Sequence, residues 1–188
     1  MKAAVFLDRD GTLVREVGFV TRPDRLRLLP GAAAALRRLQ RKGFPLVMVT
    51  NQSAVARGLL SQTELAALHR VLERRLRRHR VTLRGIYVCC HHPRAGHGRF
   101  RRRCRCRKPA PGLILRAARD LDLNVRGSYL VGDSFRDVEA ARRAGARPIL
   151  VRTGHGAKEE ARVRRQRPRV PVVQDLAAAA QLIMARRA

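Results

Sequence analysis

The stretch Phe6-Leu7-Asp8-Arg9-Asp10-Gly11-Thr12-Leu13 runs from an apolar segment into two carboxylates one residue apart. Residues 3–7 are short, apolar and abruptly ended by charge, the pattern of a buried strand that stops at a sheet edge. Asp10-Gly11 is by itself a common turn pair. A turn needs only one carboxylate, however, and two so close repel each other. A calcium loop would place Asp8 and Asp10 at its first and third positions. That reading fails, because Leu13 stands where a glycine is required and Phe19 where a bidentate Glu is required.

Outward from this stretch, short apolar runs recur at 45–49, 85–88, 128–131, 148–151 and 170–173. Helical patterns separate them. One spans 32–41 and ends before Gly43, a second spans 62–79, a third 111–121, and a fourth 137–144, before Gly145. In the second, Ser61 and Glu64 form a capping box. Its Leu65, Leu68, Leu72 and Leu76 make one apolar stripe, with Arg on the other faces. Strand alternating with helix predicts an α/β fold, a Rossmann-like three-layer α/β/α sandwich with a mainly parallel sheet. The whole chain, 1–188, reads as one domain.

With 188 residues and 45% hydrophobic content, the chain can bury a full core and is not a disordered polymer. Aromatics make up only 4%, so the core rests on Leu, Val, Ala and Ile. The formal net charge is +28, and Lys occurs only at 2, 42, 108 and 158, so nearly all of the 42 basic residues are Arg. Such a surface attracts anionic substrates and raises the question of nucleic acid. The runs Arg99-Phe100-Arg101-Arg102-Arg103 and Arg74-Arg75-Leu76-Arg77-Arg78 would serve a nucleic-acid-binding zinc module or a nucleic-acid 3′-phosphatase. Base stacking needs aromatic platforms, which are scarce here, and the second run fits a solvated helix face. Specific nucleic-acid recognition is therefore not expected. No apolar run approaches a signal core or the ~20 residues of a membrane span. The expectation is a cytoplasmic monomer with no membrane association.

Ligands in open parallel sheets bind beyond the carboxyl ends of the strands. Asp8 and Asp10 follow the first apolar run, Thr50-Asn51-Gln52-Ser53 the second, and Gly132-Asp133-Ser134-Phe135-Arg136-Asp137 the fourth; Arg107-Lys108-Pro109 precedes a helix. Singly, Asp133, Thr50 or Ser53 could be helix caps. Together, three carboxylates, a hydroxyl and a lysine at one rim suit a divalent cation and phosphoryl transfer.

In order along the chain, Asp8-x-Asp10-Gly11-Thr12, Thr50, Lys108 and Gly132-Asp133-x-x-x-Asp137 resemble the four motifs of the haloacid dehalogenase (HAD) superfamily of phosphatases. The resemblance covers almost the whole chain. It implies that Asp8 is the nucleophile, becoming an aspartyl phosphate, and that Asp10 protonates the leaving oxygen and then activates water. It implies Mg²⁺ held by Asp8, the backbone carbonyl of Asp10, and Asp133, with Thr50 and Lys108 on the transferring phosphoryl group. Asp137 is assigned to support of the Lys108 region. Segments 10–50 and 50–108 are filled by ordinary elements, which predicts a capless fold whose specificity comes from loops.

Cys89-Cys90-His91-His92-Pro93 and Cys104-Arg105-Cys106-Arg107-Lys108 bound an irregular stretch that is long for a compact domain. Three thiolates and an imidazole make a closed tetrahedral zinc site, and disulfides do not suit a cytoplasmic protein. Spacing leaves the ligand set open, since Cys90, His92 and His97 are additional candidates. The chain resembles a subset of these phosphatases, those for heptose bisphosphate and histidinol phosphate, with Cys-x-His, a loop, then Cys-x-Cys-Arg-Lys-Pro. By that resemblance the Zn²⁺ ligands are Cys89, His91, Cys104 and Cys106, stapling a loop at about 89–107; Cys90 stands where the family usually has Pro. The same resemblance implies a small phosphorylated sugar as substrate, with loss of the C7 phosphate of a heptose 1,7-bisphosphate, or else histidinol phosphate or another small phosphomonoester. Thr50-Asn51-Gln52-Ser53-x-x-Ala56-Arg57-Gly58 matches its phosphate loop and Leu150-Val151-Arg152-Thr153-Gly154 its last strand and turn. Substrate contacts then fall on Asn51, Gln52, Ser53 and Arg107, and on a loop of Glu16, Val17, Gly18 and Phe19. In that loop the family usually carries a more polar acid-His-Gly-Tyr run.

Overall fold

The computed structural model describes residues 1–96 and 98–186. Six strands form one parallel sheet: β1 (Val5–Leu7), β2 (Leu46–Asn51), β3 (Gly85–Cys89), β4 (Tyr129–Gly132), β5 (Arg147–Val151) and β6 (Val172–Val173). Their order across the sheet is β3-β2-β1-β4-β5-β6. The chain leaves β1 toward one edge and returns to lay β4 on its other side. Register pairs Leu7 with Met48 and with Val131. The connections leaving β1 and β4 thus diverge, and the crevice between them is where such sheets bind ligands.

Side chains alternate across the sheet with period two. Val5, Leu7, Leu46, Met48, Tyr129, Val131, Ile149 and Val151 point into one core layer. There they meet α1 (Ala32–Arg41), the second half of α2 (Gln62–Arg78), and α6 (Leu176–Ala185). Phe6, Val47, Val49 and Leu130 point the other way, onto α3 (Gly112–Asp120) and α4 (Phe135–Ala144). Leu150 packs with Phe135 and Val138 of α4 and with Val163 of α5 (Gly156–Gln166). The result is the three-layer α/β/α sandwich read from the sequence, with all paired strands parallel.

The expected capping box of α2 is present: Glu64 N–H donates to Ser61 Oγ at 3.1 Å, and Ser61 N–H donates to Glu64 Oε2 at 2.7 Å. The leucine stripe divides. Leu72 and Leu76 enter the main core, whereas Leu65 and Leu68 pack with Ala54, Val55, Leu60 and Cys90 under the cysteine loop. Two helices lay outside the sequence expectation. In α5 only Gly156 and Val163 are buried, so it shows no stripe. The opposite holds for α6, whose Ala-Leu-Ile run lacks a polar face against which a stripe would stand out. Among the described residues no helix is long and apolar enough to cross a membrane.

Candidate active site

The rim above β1, β2 and β4 gathers the predicted polar sets into one cavity of about 270 Å³. Asp8, Asp10, Glu16, Gly18, Phe19, Thr50, Asn51, Gln52, Ser53, Arg107, Lys108 and Asp133 all line it. Val17 does not, and it is 41% exposed.

Lys108 is at the centre and is 3% exposed. An ammonium has three N–H donors. Here Nζ donates to Val49 O at 2.9 Å and forms ion pairs with Asp8 Oδ1 at 2.9 Å and Asp137 Oδ1 at 2.5 Å. Burial alone would favour the neutral amine, but Asp137 and Asp8 outweigh it and hold Lys108 above its ordinary range. Asp137, in the first turn of α4, is held in turn by the N-cap Ser134, whose N–H and Oγ both donate to Oδ2 at 3.1 and 2.5 Å. Both of its oxygens are engaged, which is the geometry of a support for Lys108. Asp8 Oδ1 also accepts from Arg9 N–H at 2.7 Å. Asp8 Oδ2 is left without a hydrogen-bond partner among the described residues.

Asn51 and Gln52 turn inward. The Asn51 amide straps the lysine backbone, accepting from Lys108 N–H at 3.1 Å and donating to Lys108 O at 3.0 Å. Gln52 Nε2 donates to Asp10 Oδ2 at 2.8 Å and to Thr50 Oγ1 at 2.9 Å. Their polar groups therefore order the site from within, a use the sequence does not announce. It also gave no sign of Arg9, which is fully buried and forks onto Asp10. Nor did it mark His155 or Arg136, which line the cavity.

Asp133 carries the unbalanced charge. Lys108 pairs with Asp8 and Asp137, and Asp133 has no ion-pair partner among the described residues. Burial first, then Asp8 and Asp137, push Asp133 up to about 8. Its Oδ2 accepts from His155 N–H at 2.8 Å. The approach to that oxygen is made of glycine: a Cβ on Gly11 would lie 1.9 Å from it, and one on Gly154 2.1 Å. Asp8, Asp133 and Asp137 each offer a carboxylate oxygen within 4.8 Å of the others. Oxygen donors with surplus negative charge fit a hard divalent cation such as Mg²⁺.

At one wall, Glu16 Oε1 accepts from Gly18 N–H at 2.6 Å, and Glu16 Oε2 lies 3.8 Å from His155 Nε2. Burial holds Glu16 above the usual carboxylate range despite that hydrogen bond. Beyond the opposite wall a larger cavity of about 630 Å³ shares Arg107, Lys108 and Arg136 with the first. Arg102, Arg103 and Arg143 also line it, and among the described residues no acidic one does.

Cys89 at the end of β3 meets His91, Cys104 and Cys106, with the four donor atoms within 4.8 Å of one another. The Sγ–Sγ separations are 3.6 Å for Cys89 and Cys104, 3.1 Å for Cys89 and Cys106, and 3.3 Å for Cys104 and Cys106. His91 Nδ1 is 3.7 Å from Cys89 Sγ and 3.4 Å from Cys106 Sγ. These distances far exceed the ~2.05 Å of a disulfide. They lie near the roughly 3.8 Å edge of a sulfur tetrahedron drawn at ~2.3 Å around zinc. Hydrogen bonds from its neighbours, Cys89 first, favour the Cys106 thiolate, whereas its bond to Cys106 and burial disfavour ionisation of Cys89. Three thiolates together need a cation among them, so the set fits a bound metal. The extra candidates go elsewhere. Cys90 packs among Ala54, Val55, Leu65 and Leu68. His92 Nδ1 accepts from Arg94 and Ala95 N–H at 3.2 and 2.8 Å. His97 lies outside the described residues. The cluster reaches the first cavity through Arg107, whose Nη1 donates to His91 O at 2.9 Å.

Three comparisons bear on this geometry. The HAD-hydrolase-like family model matches residues 105–179, which hold Lys108, Asp133 and Asp137. A D-glycero-β-D-manno-heptose-1,7-bisphosphate 7-phosphatase of Haemophilus ducreyi is 43% identical over 161 residues, covering 85% of this chain and 88% of that protein. The enzyme of the same name from Escherichia coli K12 is 42% identical over 159 residues, 84% and 83% of the two chains. A crystal structure of D,D-heptose 1,7-bisphosphate phosphatase from B. bronchiseptica, complexed with magnesium and phosphate, superposes with a TM-score of 0.87. It is 38% identical and covers 99% of both chains. With likeness of this degree across the parts that build the rim and the cysteine cluster, the chain belongs to the D-glycero-β-D-manno-heptose-1,7-bisphosphate 7-phosphatase family of HAD-like phosphatases.

Proposed function

We propose that the chain hydrolyses the C7 phosphate ester of D-glycero-β-D-manno-heptose 1,7-bisphosphate through an aspartyl phosphate on Asp8. The observation that carries this reading is the pairing of Asp8 and Asp10 at the β1–β4 crevice, beside a lysine-bound carboxylate cluster. The relatives named for that substrate share the chain over four-fifths of its length.

Asp8 Oδ2 attacks phosphorus while Lys108 and Arg9 N–H hold Oδ1 and fix the plane of the carboxylate. The bond from phosphorus to the C7 oxygen breaks, and that oxygen takes a proton from Asp10. Asp10, now a carboxylate, takes a proton from a water that attacks the aspartyl phosphate. Inorganic phosphate leaves and Asp8 is regenerated. Thr50, with its Oγ1 already accepting from Gln52, directs its hydroxyl proton to the phosphoryl group. Lys108 contributes its charge beside the reacting oxygen. Asp8, the Asp10 backbone carbonyl and Asp133 would hold Mg²⁺, which offsets charge that develops on the phosphoryl oxygens.

Glu16, Gly18, Phe19, Ser53 and Arg107 form the walls that receive the sugar, and the arginine-lined cavity beyond suits an anionic substrate. Zn²⁺ on Cys89, His91, Cys104 and Cys106 would fix the loop at about 89–107 that delivers Arg107 and Lys108. In this reading residues 1–188 work as one hydrolase domain, a cytoplasmic monomer.

Phosphate release from heptose 1,7-bisphosphate, histidinol phosphate and a 3′-phosphorylated oligonucleotide, each with Mg²⁺, tests the proposal. The bisphosphate is expected to exceed the others in kcat/KM by about tenfold or more, since a site built for a polar substrate rejects one that leaves its groups unpaired. Faster turnover of histidinol phosphate would move the assignment to that reaction. Faster turnover of the oligonucleotide, with steep salt inhibition, would give the arginine-lined cavity to nucleic acid.

A further inference from the structure

Asp10 is the residue that must give and take a proton in the proposed reaction, and its hydrogen bonds decide which of its oxygens can do so. A carboxylate offers about four lone-pair sites, two on each oxygen. Arg9 Nη2 donates to Oδ2 at 2.9 Å and Gln52 Nε2 donates to the same oxygen at 2.8 Å. Arg9 Nε donates to Oδ1 at 3.0 Å. Oδ2 is thereby filled, and a single site remains, on Oδ1. A planar bidentate fork also fixes the plane of the carboxylate, so the direction of that last lone pair is set by the guanidinium.

The guanidinium is set in turn from across the molecule. Arg9 is fully buried, and its remaining terminal nitrogen, Nη1, lies 3.3 Å from His69 Nε2. Arginine has no lone pair to offer, so in this contact Nη1 donates and Nε2 accepts, and the ring must be neutral. Burial first, then the charge of Arg9, push His69 down to about 3. His69 is on α2, one residue after Leu68, and that helix face is anchored by Leu65, Leu68 and Leu72. Helix α2 thus reaches the site through this buried polar contact.

We infer that His69 is a positioning residue for proton transfer: through Arg9 it holds Asp10 so that Oδ1 alone faces the leaving oxygen. The inference rests on the proposed role of Asp10. Its test compares leaving groups. A sugar alkoxide needs a proton as it departs, whereas 4-nitrophenolate leaves well without one. In His69→Leu, which keeps the bulk and loses the acceptor, kcat/KM for the sugar bisphosphate is expected to fall about tenfold or more, a part of the ~10²–10⁴ that general acid catalysis supplies. With 4-nitrophenyl phosphate the fall should stay within about twofold, because little of that contribution is drawn on. His69→Gln, which offers an amide oxygen near the Nε2 position, is expected to restore most of the difference.

Equal losses with both substrates would show that His69 only supports the fold, and would overturn the inference, as would wild-type behaviour of a folded His69→Leu protein. If His69→Leu does not fold, His69→Asn, whose shorter amide stops short of Arg9, takes its place beside His69→Gln: a selective loss with the sugar bisphosphate in His69→Asn that His69→Gln recovers supports the inference, and equal losses with both substrates overturn it. Asp10→Asn run beside them separates the two levels. If it leaves sugar-phosphate turnover intact, the reading of the site fails. If it abolishes turnover while His69→Leu matches wild type, the positioning inference fails alone.

Discussion

The carboxylate rim and the cysteine cluster lie on either side of Arg107 and Lys108, yet they are held by different means. Asp8 and Asp133 stand at the ends of β1 and β4, whose residues are buried on both faces. Backbone N–H groups hold both: Asp8 N–H donates to Val131 O at 3.0 Å, and His155 N–H donates to Asp133 Oδ2 at 2.8 Å. Charge crowding there is a cost that the sheet's packing sustains. The segment after β3 has no comparable scaffold. Between Cys89 and α3 the described residues contain only one short 3-10 turn, Gly98–Phe100, and Cys104 and Cys106 are only partly buried. Four donor atoms converge in that loop. A packed scaffold can hold a strained chemical group ready without a ligand; a loop with little core needs the ligand to be ordered.

Three measurements would break or sharpen this contrast. The largest effect is expected at the rim, on activity alone. Asp8→Asn should lower kcat at least about 10³-fold, as loss of a covalent nucleophile does, while leaving the melting temperature within about 3 °C of wild type, because one of three crowded carboxylates is neutralised. Undiminished turnover in a folded Asp8→Asn sample would end the aspartyl-phosphate mechanism. In the loop the expected effect reverses. Replacing Cys104 and Cys106 together by Ser should abolish binding of roughly one equivalent of zinc by elemental analysis. It should also lower the melting temperature by about 5 °C or more, the equivalent of ~2 kcal/mol in a chain of this size. If metal content and melting are both unchanged, the cluster is not a staple.

The smallest effect is expected at the join. Asn51→Ala removes both hydrogen bonds between the end of β2 and the Lys108 backbone. A cost of about 1–3 kcal/mol is expected in urea unfolding, with kcat reduced by less than in Asp8→Asn. Wild-type stability and activity in Asn51→Ala would mean that the two regions are positioned independently.

Much of this was legible before any coordinates. Asp8, Asp10, Thr50, Lys108 and Asp133 announce themselves because each follows an apolar run or precedes a helix, and the topology of a parallel sheet sends such positions to one rim. Cys89, His91, Cys104 and Cys106 were legible as a metal set by residue type, but spacing could not exclude Cys90 and His92. What separates them is packing: Cys90 turns under the loop against Leu65 and Leu68, and His92 closes its own turn. Arg9 was hidden among arginines too numerous to single out. His69 was hidden in a leucine stripe, where a polar residue reads as an edge of the helix face. Val17 stands with Glu16, Gly18 and Phe19 in the sequence, but among these four it alone does not line the cavity.

The sequence by itself determined the strand-and-helix alternation, the donor inventory at the rim and the three thiols beside an imidazole, since these depend on residue type and short-range period. Only the tertiary structure decided how those donors are spent. It turned Asn51 and Gln52 inward, set Lys108 between Val49 O, Asp8 and Asp137, left Oδ2 of Asp8 unpartnered among the described residues, and brought His69 to Arg9 from sixty residues away. Hydrogen bonds are satisfied by whatever packing brings within about 3 Å, and no local pattern in a chain encodes that distance.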